Sequence, residues 1–494
     1  MEWVRIRLDG MGGAALSKLE LESVYASDLS FEPDERRQRI LPDGTVELAV
    51  THKPYMVHAK LRLPLYGAIW VMADNLGEGY CGDFVDFVSE AVRTYLREAE
   101  IHAEGVTLSP ETQGHLDAAQ EYAHLANRGN STGENRLYAL SHAIYAAEGA
   151  LFEKAQSKVF ARARKDLKLG CNFFRYTTPG ARYAKLFTQV FDFATLPFYA
   201  GQTVPAQDTY DYAYVDTALD FLQSKEISVK GHPLWFGHES VNPKWLLGKP
   251  YSELARHAGN IARHHVKSYQ GRIDIWDAMN EAHDWANCFE LSQRELIDLT
   301  KVTCDALREA NPSATSIVNV CLPFAEYVAG RYNCYGALPE HLRSPLTYLR
   351  MLMDAGISFD ITGIQLYFPA RDMVAVNRML AVFESLGKPI HITEMGVNGG
   401  MRSGLGPSGS GWQQQQLSMS EGTWHGGWNE HTQADWMEQF YTIAASHEKI
   451  TALTWWDFME PSFSGNGAFL YEDETPREIF FRLLALKKRL LAEP

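Results

Sequence analysis

IDIWDAMN, residues 273–280, is a short β-branched and aromatic run that ends at Asn280 and delivers Glu281 to whatever follows. On its N-terminal side lies YSELARHAGNIARHHVKSYQ (251–270) and on its C-terminal side SQRELIDLTKVTCDALREA (292–310), both with apolar residues at helical spacing. A strand between two helices is one βα unit, and the same alternation repeats in both directions. Upstream stand LGCNFFRY (169–176), VFDFATL (190–196) and ISVKGHPLWF (227–236). Downstream stand TSIVNVCL (315–322), FDITGIQLYF (359–368), PIHITEM (389–395) and ITALTWW (450–456). Eight strand–helix units predict a parallel sheet closed into a (β/α)8 TIM barrel over residues 166–494. An open doubly wound sheet is the rival. It would want a glycine-rich phosphate loop after the first strand, and none follows LGCNFFRY.

The first 80 residues have a different texture. VELAV (46–50), YMVHAKLRL (55–63) and YGAIWVMADN (66–75) are apolar runs bounded by turn residues, which predicts a β-rich module. Residues 81–165 read as a helical region, with periodic stretches at 84–102 and 137–165 and a linker at 126–136. The module is either a carbohydrate-binding unit, with Trp3, Tyr66, Trp70 and Tyr80 as stacking platforms, or a packing layer on the barrel.

Composition narrows the function. Lys plus Arg number 46 and Asp plus Glu 61 among 494 residues, a formal charge of −15. An acidic chain lacks the electrostatic footprint for phosphate backbones or anionic membranes, so neither nucleic acid nor membrane is an expected partner. No stretch has signal-peptide or membrane-span character, which predicts a cytoplasmic protein, or a secreted one if a leader has been removed. Cysteines at 81, 171, 288, 304, 321 and 334 form no C-x-x-C pair and read as buried free thiols. No ligand cluster for a metal or organic cofactor is visible, and none is expected.

Two carboxylates stand where a barrel carries chemistry, at strand ends on the C-terminal face. Glu281 follows the fourth strand and Glu394 sits at the end of the seventh. These strands face each other across the barrel mouth, so the carboxylates can converge on one bond. That is the requirement of glycoside hydrolysis: an acid protonates the leaving oxygen and a carboxylate attacks or stabilises the anomeric carbon.

In these segments the sequence resembles glycoside hydrolase family 10, the β-1,4-xylanase family, as a divergent member. WDAMNE (276–281) is similar to the family's acid/base strand end and HITEMGV (391–397) to its nucleophile strand. KGHPLWF (230–236) with NPKWLL (242–247), TALTWWDFMEPSF (451–463) and FLYEDETPREIFFRL (469–483) resemble its third strand, eighth strand and closing tail. The resemblance implies Glu281 as acid/base and Glu394 as nucleophile of a retaining enzyme. It implies Asn280 as the partner of the sugar 2-OH and His232 as a lining residue of the −1 site. It further implies Gln365 as the residue positioning the nucleophile, and Trp456 as cover of the −1 sugar with Trp455 beside it. The implied activity is cleavage of β-1,4-xylosidic bonds in xylan or xylo-oligosaccharides, with a β-glycan or oligosaccharide as partner. The same chemistry on another β-linked glycan, and a non-catalytic glycan-binding barrel, are the alternatives. The proton on Glu281 is expected to be held by repulsion from Glu394.

Departures from the family pattern matter. TLPFYAGQTVP (195–205) stands where the family has a second-strand Glu-Asn-x-Met-Lys-Trp. Tyr367 stands where a histidine is expected, which changes what bonds Glu394, and Phe236 and Gly237 replace a Trp-His pair. Tyr210, Tyr212 and Tyr214 read as packing between loop and helix. The segment 398–430, rich in Gly, Ser and Gln with Trp412, Trp424 and Trp428, reads as a lid or an added aromatic subsite, with a disordered insertion as the alternative.

Overall fold

The computed structural model describes residues 2–8, 18–35, 37–128, 133–176, 181–334, 338–367, 370–400, 423–463 and 466–492. Its largest unit is a closed parallel barrel. The strands are β8 (Lys168–Asn172), β9 (Phe193–Pro197), β10 (Ser228–His232), β11 (Ile275–Asn280), β12 (Thr315–Val320), β13 (Ile361–Tyr367), β14 (Ile390–Gly396) and β15 (Ile450–Trp455). They pair in sequence order and β15 closes on β8. Each is almost wholly buried because helices cover the outside, which is why these runs lack the alternation of a half-exposed strand. The eight segments read from the sequence are the eight barrel strands, so β11 is the fourth, β14 the seventh and β15 the eighth.

Two barrel positions require glycine for space. A Cβ on Gly231 in β10 would lie 2.3 Å from the ring of Trp276 in β11. A Cβ on Gly363 in β13 would lie 2.8 Å from Asn319 Oδ1 in β12. Neighbouring strands therefore close up, and large side chains reach across them.

The N-terminal region forms two small sheets. One has the order β3 (Gln38–Ile40), β4 (Val46–Val50), β1 (Glu2–Arg7), β7 (Phe84–Asp86). The other is an antiparallel set of β2 (Tyr25–Ser27), β5 (Met56–Leu63) and β6 (Gly67–Ala73), with the short helix α1 (Lys18–Ser23) beside it. Three helices follow: α2 (Phe87–Ala103), α3 (Pro110–Ala126) and α4 (Glu134–Phe160). Helix α3 is absent from the sequence reading because only Thr112, Ala119 and Ala126 of it are buried, too few to print a periodic stripe. Its start was nonetheless signalled: Ser109 caps the Thr112 N–H and Pro110 opens the first turn.

These layers are joined to the barrel by buried polar contacts. Arg371, in the loop after β13, donates to Tyr25 Oη at 2.6 Å and to Glu326 at 2.9 Å, and the Trp70 N–H donates to Ala370 O at 2.8 Å. Glu32 accepts from Ser344 Oγ at 2.6 Å, and Tyr95 Oη donates to Asp372 at 2.5 Å. Glu148 on α4 accepts from Tyr66 Oη, Trp424 Nε1 and the Met373 N–H at 3.0, 3.1 and 2.7 Å. The sheets and helices thus lean on the loops that follow β12, β13 and β14.

That packing consumes most of the aromatics that could have stacked on sugars. Tyr66 is buried against Glu148, Tyr80 bonds Glu90, and Trp70 lies under the Arg371 guanidinium. Trp3 remains exposed, with Arg39 over its ring. Of the cysteines, Cys171, Cys304 and Cys321 are buried as expected, whereas Cys81 is exposed and Cys288 and Cys334 are half-buried, and none of the six is in a disulfide.

Candidate active site

The strand ends converge on a dense hydrogen-bond network. Glu281 follows β11 directly, held with φ +55°, a left-handed conformation unusual for a residue with a side chain. Its N–H donates to Asn319 O at 2.9 Å, which fixes the turn. Glu281 Oε1 accepts from Gln365 Nε2 at 2.9 Å and from Asn280 Nδ2 at 3.3 Å. Glu394, near the end of β14, is almost fully buried. Its Oε1 accepts from Asn319 Nδ2 at 2.9 Å, and its Oε2 accepts from Tyr367 Oη at 3.1 Å. The same Asn319 Nδ2 donates to Asn280 Oδ1 at 2.7 Å, and Thr393 Oγ1 fixes the other end of its amide. The two carboxylates therefore belong to one network that runs Glu394, Asn319, Asn280, Glu281.

A second chain supports Glu394 from the third strand. Lys230 Nζ and His232 Nδ1 both donate to Asp277 Oδ2, at 2.7 and 2.6 Å, inside the barrel. Burial alone would raise the Asp277 carboxyl, but Lys230 and His232 hold it below its ordinary value. An ionised Asp277 accepts only, so Nδ1 of His232 carries a proton and Nε2 faces Glu394 Oε1 at 3.8 Å.

Both catalytic candidates have perturbed carboxyls. Burial raises Glu281 to about 7, against the pull of its bonds from Gln365 and Asn280. Burial also raises Glu394 to about 7; His232 draws it down and Glu281 pushes it up again. Desolvation, rather than like-charge repulsion, is thus the main reason Glu281 can keep a proton near neutrality. Lys230 and His232 both draw Glu394 down, whereas the groups that draw Glu281 down are the neutral amides of Gln365 and Asn280, so Glu394 is the one placed to ionise while Glu281 stays protonated.

Aromatic walls flank the pair. Trp456 packs edge-on against His232 and Phe174, with centroids at 5.2 and 5.4 Å. Tyr199, at the end of β9, stands edge-on to His232 at 5.4 Å, and Phe463 packs on Tyr367 at 4.9 Å. Among the described residues, no group of three or more His, Cys, Asp or Glu side chains could hold a metal ion.

Of the residues named from sequence, Glu281, Glu394, His232, Asn280, Gln365, Tyr367 and Trp456 come together here. Three readings need correction. Trp455 points the other way: it is fully buried, donates Nε1–H to Gly467 O at 2.9 Å and packs on Trp436 and Phe469. Successive strand residues alternate faces, so Trp456 in the mouth sends Trp455 outward. Gln365 binds Glu281 rather than Glu394, and Asn319 with Tyr367 holds Glu394 instead. Trp424 is no sugar platform, since it is buried with its ring stacked on His425 and its Nε1 on Glu148. Trp412 and the rest of 401–422 lie outside the described residues. The tyrosines at 210, 212 and 214 do pack: Tyr210 stacks on His264, Tyr212 bonds His265, and Tyr214 donates to Phe173 O.

Asn319, Tyr199, Asp277 and Lys230 are site residues the sequence reading passed over. Asn319 is the lone amide in TSIVNV, and Lys230 and Asp277 are charges inside apolar strands. A charge there must find a partner, and that was the available signal.

Known proteins share this barrel. The model of glycosyl hydrolase family 10 matches residues 172–481. Endo-1,4-beta-xylanase B of Thermotoga neapolitana is 24% identical over 311 residues, spanning 58% of this chain and 78% of that protein. Endo-1,4-beta-xylanase/feruloyl esterase of Xylanibacter ruminicola is 22% identical over 295 residues, 53% of this chain and 36% of that protein. The fold is similar to native xylanase 10B from Thermotoga maritima, with TM-score 0.51 and 18% identity over 69% of this chain and 99% of that one. It is likewise similar to xylanase 10B from Thermotoga petrophila RKU-1 in complex with xylobiose, with TM-score 0.50 and 18% identity over 69% and 97%.

Proposed function

The chain belongs to glycosyl hydrolase family 10 and is a glycoside hydrolase, and on that premise we propose that it cleaves β-1,4-xylosidic bonds in xylan or xylo-oligosaccharides with retention. Glu394 attacks the anomeric carbon while protonated Glu281 donates to the leaving oxygen. Water then opens the glycosyl-enzyme with Glu281 acting as base. The observation that carries this reading is the shared network: Asn319 bonds Glu394 directly and reaches Glu281 through Asn280. The names of the two curated relatives described above, an endo-1,4-beta-xylanase and an endo-1,4-beta-xylanase/feruloyl esterase, support the substrate.

The same double displacement on another β-linked glycan is favoured by one observation. The end of β9 carries Pro197, Phe198 and Tyr199 in place of charged and amide groups, and of these Phe198 is buried in the core while Tyr199 packs on His232, so sugar contacts there differ from the family pattern. Hydrolysis of an aryl β-xyloside, an aryl β-glucoside and xylan, with NMR of the first-formed anomer, tests both readings. Release of the β-anomer that is lost in Glu394→Ala is the expected result. A first-formed α-anomer, or wild-type activity in Glu394→Ala, contradicts it.

A further inference from the structure

A third carboxylate stands beside the pair and has no part in the steps above. Asp457 follows β15 immediately after Trp456. It is half-buried, and its Oδ2 accepts from the Phe463 N–H at 2.6 Å. The Asn172 side chain, at the end of β8, bonds the same carboxyl. Burial raises this carboxyl to about 7, with Glu460 adding to the rise. Among the described residues no Lys or Arg forms an ion pair with it. The nearby Arg175 spends its guanidinium on the carbonyls of Glu460 and Pro461.

Its place in the barrel assigns a side of the cleft. The strands run in order around the cylinder, so β15, the eighth, lies diametrically opposite β11, the fourth. Glu281 on β11 marks the leaving-group side because the acid must meet the departing oxygen. Asp457 therefore borders the other side, where the glycone sugar sits. It is continuous with the catalytic groups there: Phe463, whose N–H it accepts, packs on Tyr367, and Tyr367 donates to Glu394. Trp456, its chain neighbour, packs on His232.

Where β9 ends, the chain supplies the cleft with a single polar group: Pro197 is apolar, Phe198 is buried against Tyr269 and Trp276, and the Tyr199 hydroxyl interacts with Glu394 and Asp457. A sugar ring carries several hydroxyls that lose water on entering such a cleft, and each needs a new partner. A carboxylate without a counter-ion accepts strongly from hydroxyl donors.

We propose that Asp457, steadied by Asn172, accepts hydrogen bonds from hydroxyl groups of the glycone sugar and is a specificity-determining residue for neutral β-linked glycones. The inference rests on the glycosidase reading above. A uronic-acid glycone would set its own carboxylate against Asp457 and is disfavoured by the same arrangement.

The test compares wild type, Asp457→Ala, Asp457→Asn and Asn172→Ala on an aryl β-xyloside and on its monodeoxy analogues. Loss of a charged hydrogen bond predicts a fall in kcat/KM of about 10- to 100-fold for Asp457→Ala on the parent substrate. On the analogue lacking the bonded hydroxyl, the variant and wild type should be equal, which a merely structural role would not produce. Asp457→Asn keeps the side-chain size and should show a smaller loss at unchanged Tm. Equal kcat/KM for wild type and both Asp457 variants, or the same fold-loss on every analogue, overturns the inference. Failure of wild type to cleave any aryl β-glycoside overturns the functional reading itself, and this inference with it.

Discussion

Asn319 donates to Glu394 Oε1 at 2.9 Å from the same amide nitrogen that donates to Asn280 Oδ1 at 2.7 Å. One side chain on β12 thus orients the proposed nucleophile and the residue that holds the proposed acid. Asn319→Ala removes both bonds at once. The expected loss is about 10- to 100-fold in kcat/KM on an aryl β-glycoside, the range for a hydrogen bond to a charged group. A variant with wild-type kinetics would remove Asn319 from the machinery.

Gly363→Ala tests the same residue from behind. The added Cβ would lie 2.7 Å from Ile317 Cγ2 and 2.8 Å from Asn319 Oδ1, so something must move. Overpacking of this kind costs about 1–3 kcal/mol of stability. Because the displaced atom belongs to Asn319, activity should fall by more than the lowered Tm accounts for. Kinetics measured well below the Tm separate the two effects.

Tyr367→Phe deletes the donor to Glu394 Oε2, found at 3.1 Å. That bond favours the ionised carboxyl, so its loss raises the carboxyl further and moves the acid limb of the pH–rate profile upward. The wild-type profile should be bell-shaped around neutrality, since Glu281 and Glu394 both sit at about 7 and must differ in protonation. An acid limb that shifts downward in Tyr367→Phe would contradict the assignment.

The buried carboxyl also governs stability. Glu394 is raised from 4.5 to about 7, so the folded protein binds a proton there more tightly than the unfolded chain does. Its contribution is complete below pH 4.5 and is lost as pH rises through about 7. Glu394→Gln should therefore gain stability over wild type above neutral pH, by on the order of 2–3 kcal/mol, with no gain at pH 4. Thermal unfolding at pH 4 and pH 8 checks the sign.

How much of this was legible in the sequence follows from what each residue had to satisfy. The barrel strands were readable because burial on both faces selects short runs rich in β-branched residues: four of six in TSIVNV and three of five in PIHIT. Glu281 and Glu394 were readable because a carboxylate ending such a run is costly without a task. Partners were harder. Gln365 and Asn319 are both amides on adjacent strands, and which carboxylate each one bonds depends on register shifts that leave no mark in the sequence: one lies between Asp277 and Met279, another between Ile364 and Gln365. The role of Tyr66 and Trp70 was hidden for a related reason. Their partners, Glu148 and Arg371, lie far along the chain, and an aromatic reads alike whether it meets a sugar or a helix.

Those long-range partners make the N-terminal layers part of the barrel's support. Glu148→Ala leaves Tyr66 Oη, Trp424 Nε1 and the Met373 N–H without their acceptor inside the protein. The expected cost is about 3–5 kcal/mol, read by chemical denaturation. Removing residues 1–80 should likewise cost stability, because Arg371 and Trp70's neighbours lose their cover. Unchanged stability in both would make the region a separable module.

The most direct test is to trap the covalent intermediate. A 2-deoxy-2-fluoro-β-xyloside with a good leaving group forms the glycosyl-enzyme faster than water resolves it, and peptide mass spectrometry locates the sugar. One fluorosugar per chain, attached to Glu394, is expected, with no labelling of Glu394→Gln. A label on any other residue, or inactivation without an attached sugar, would contradict it.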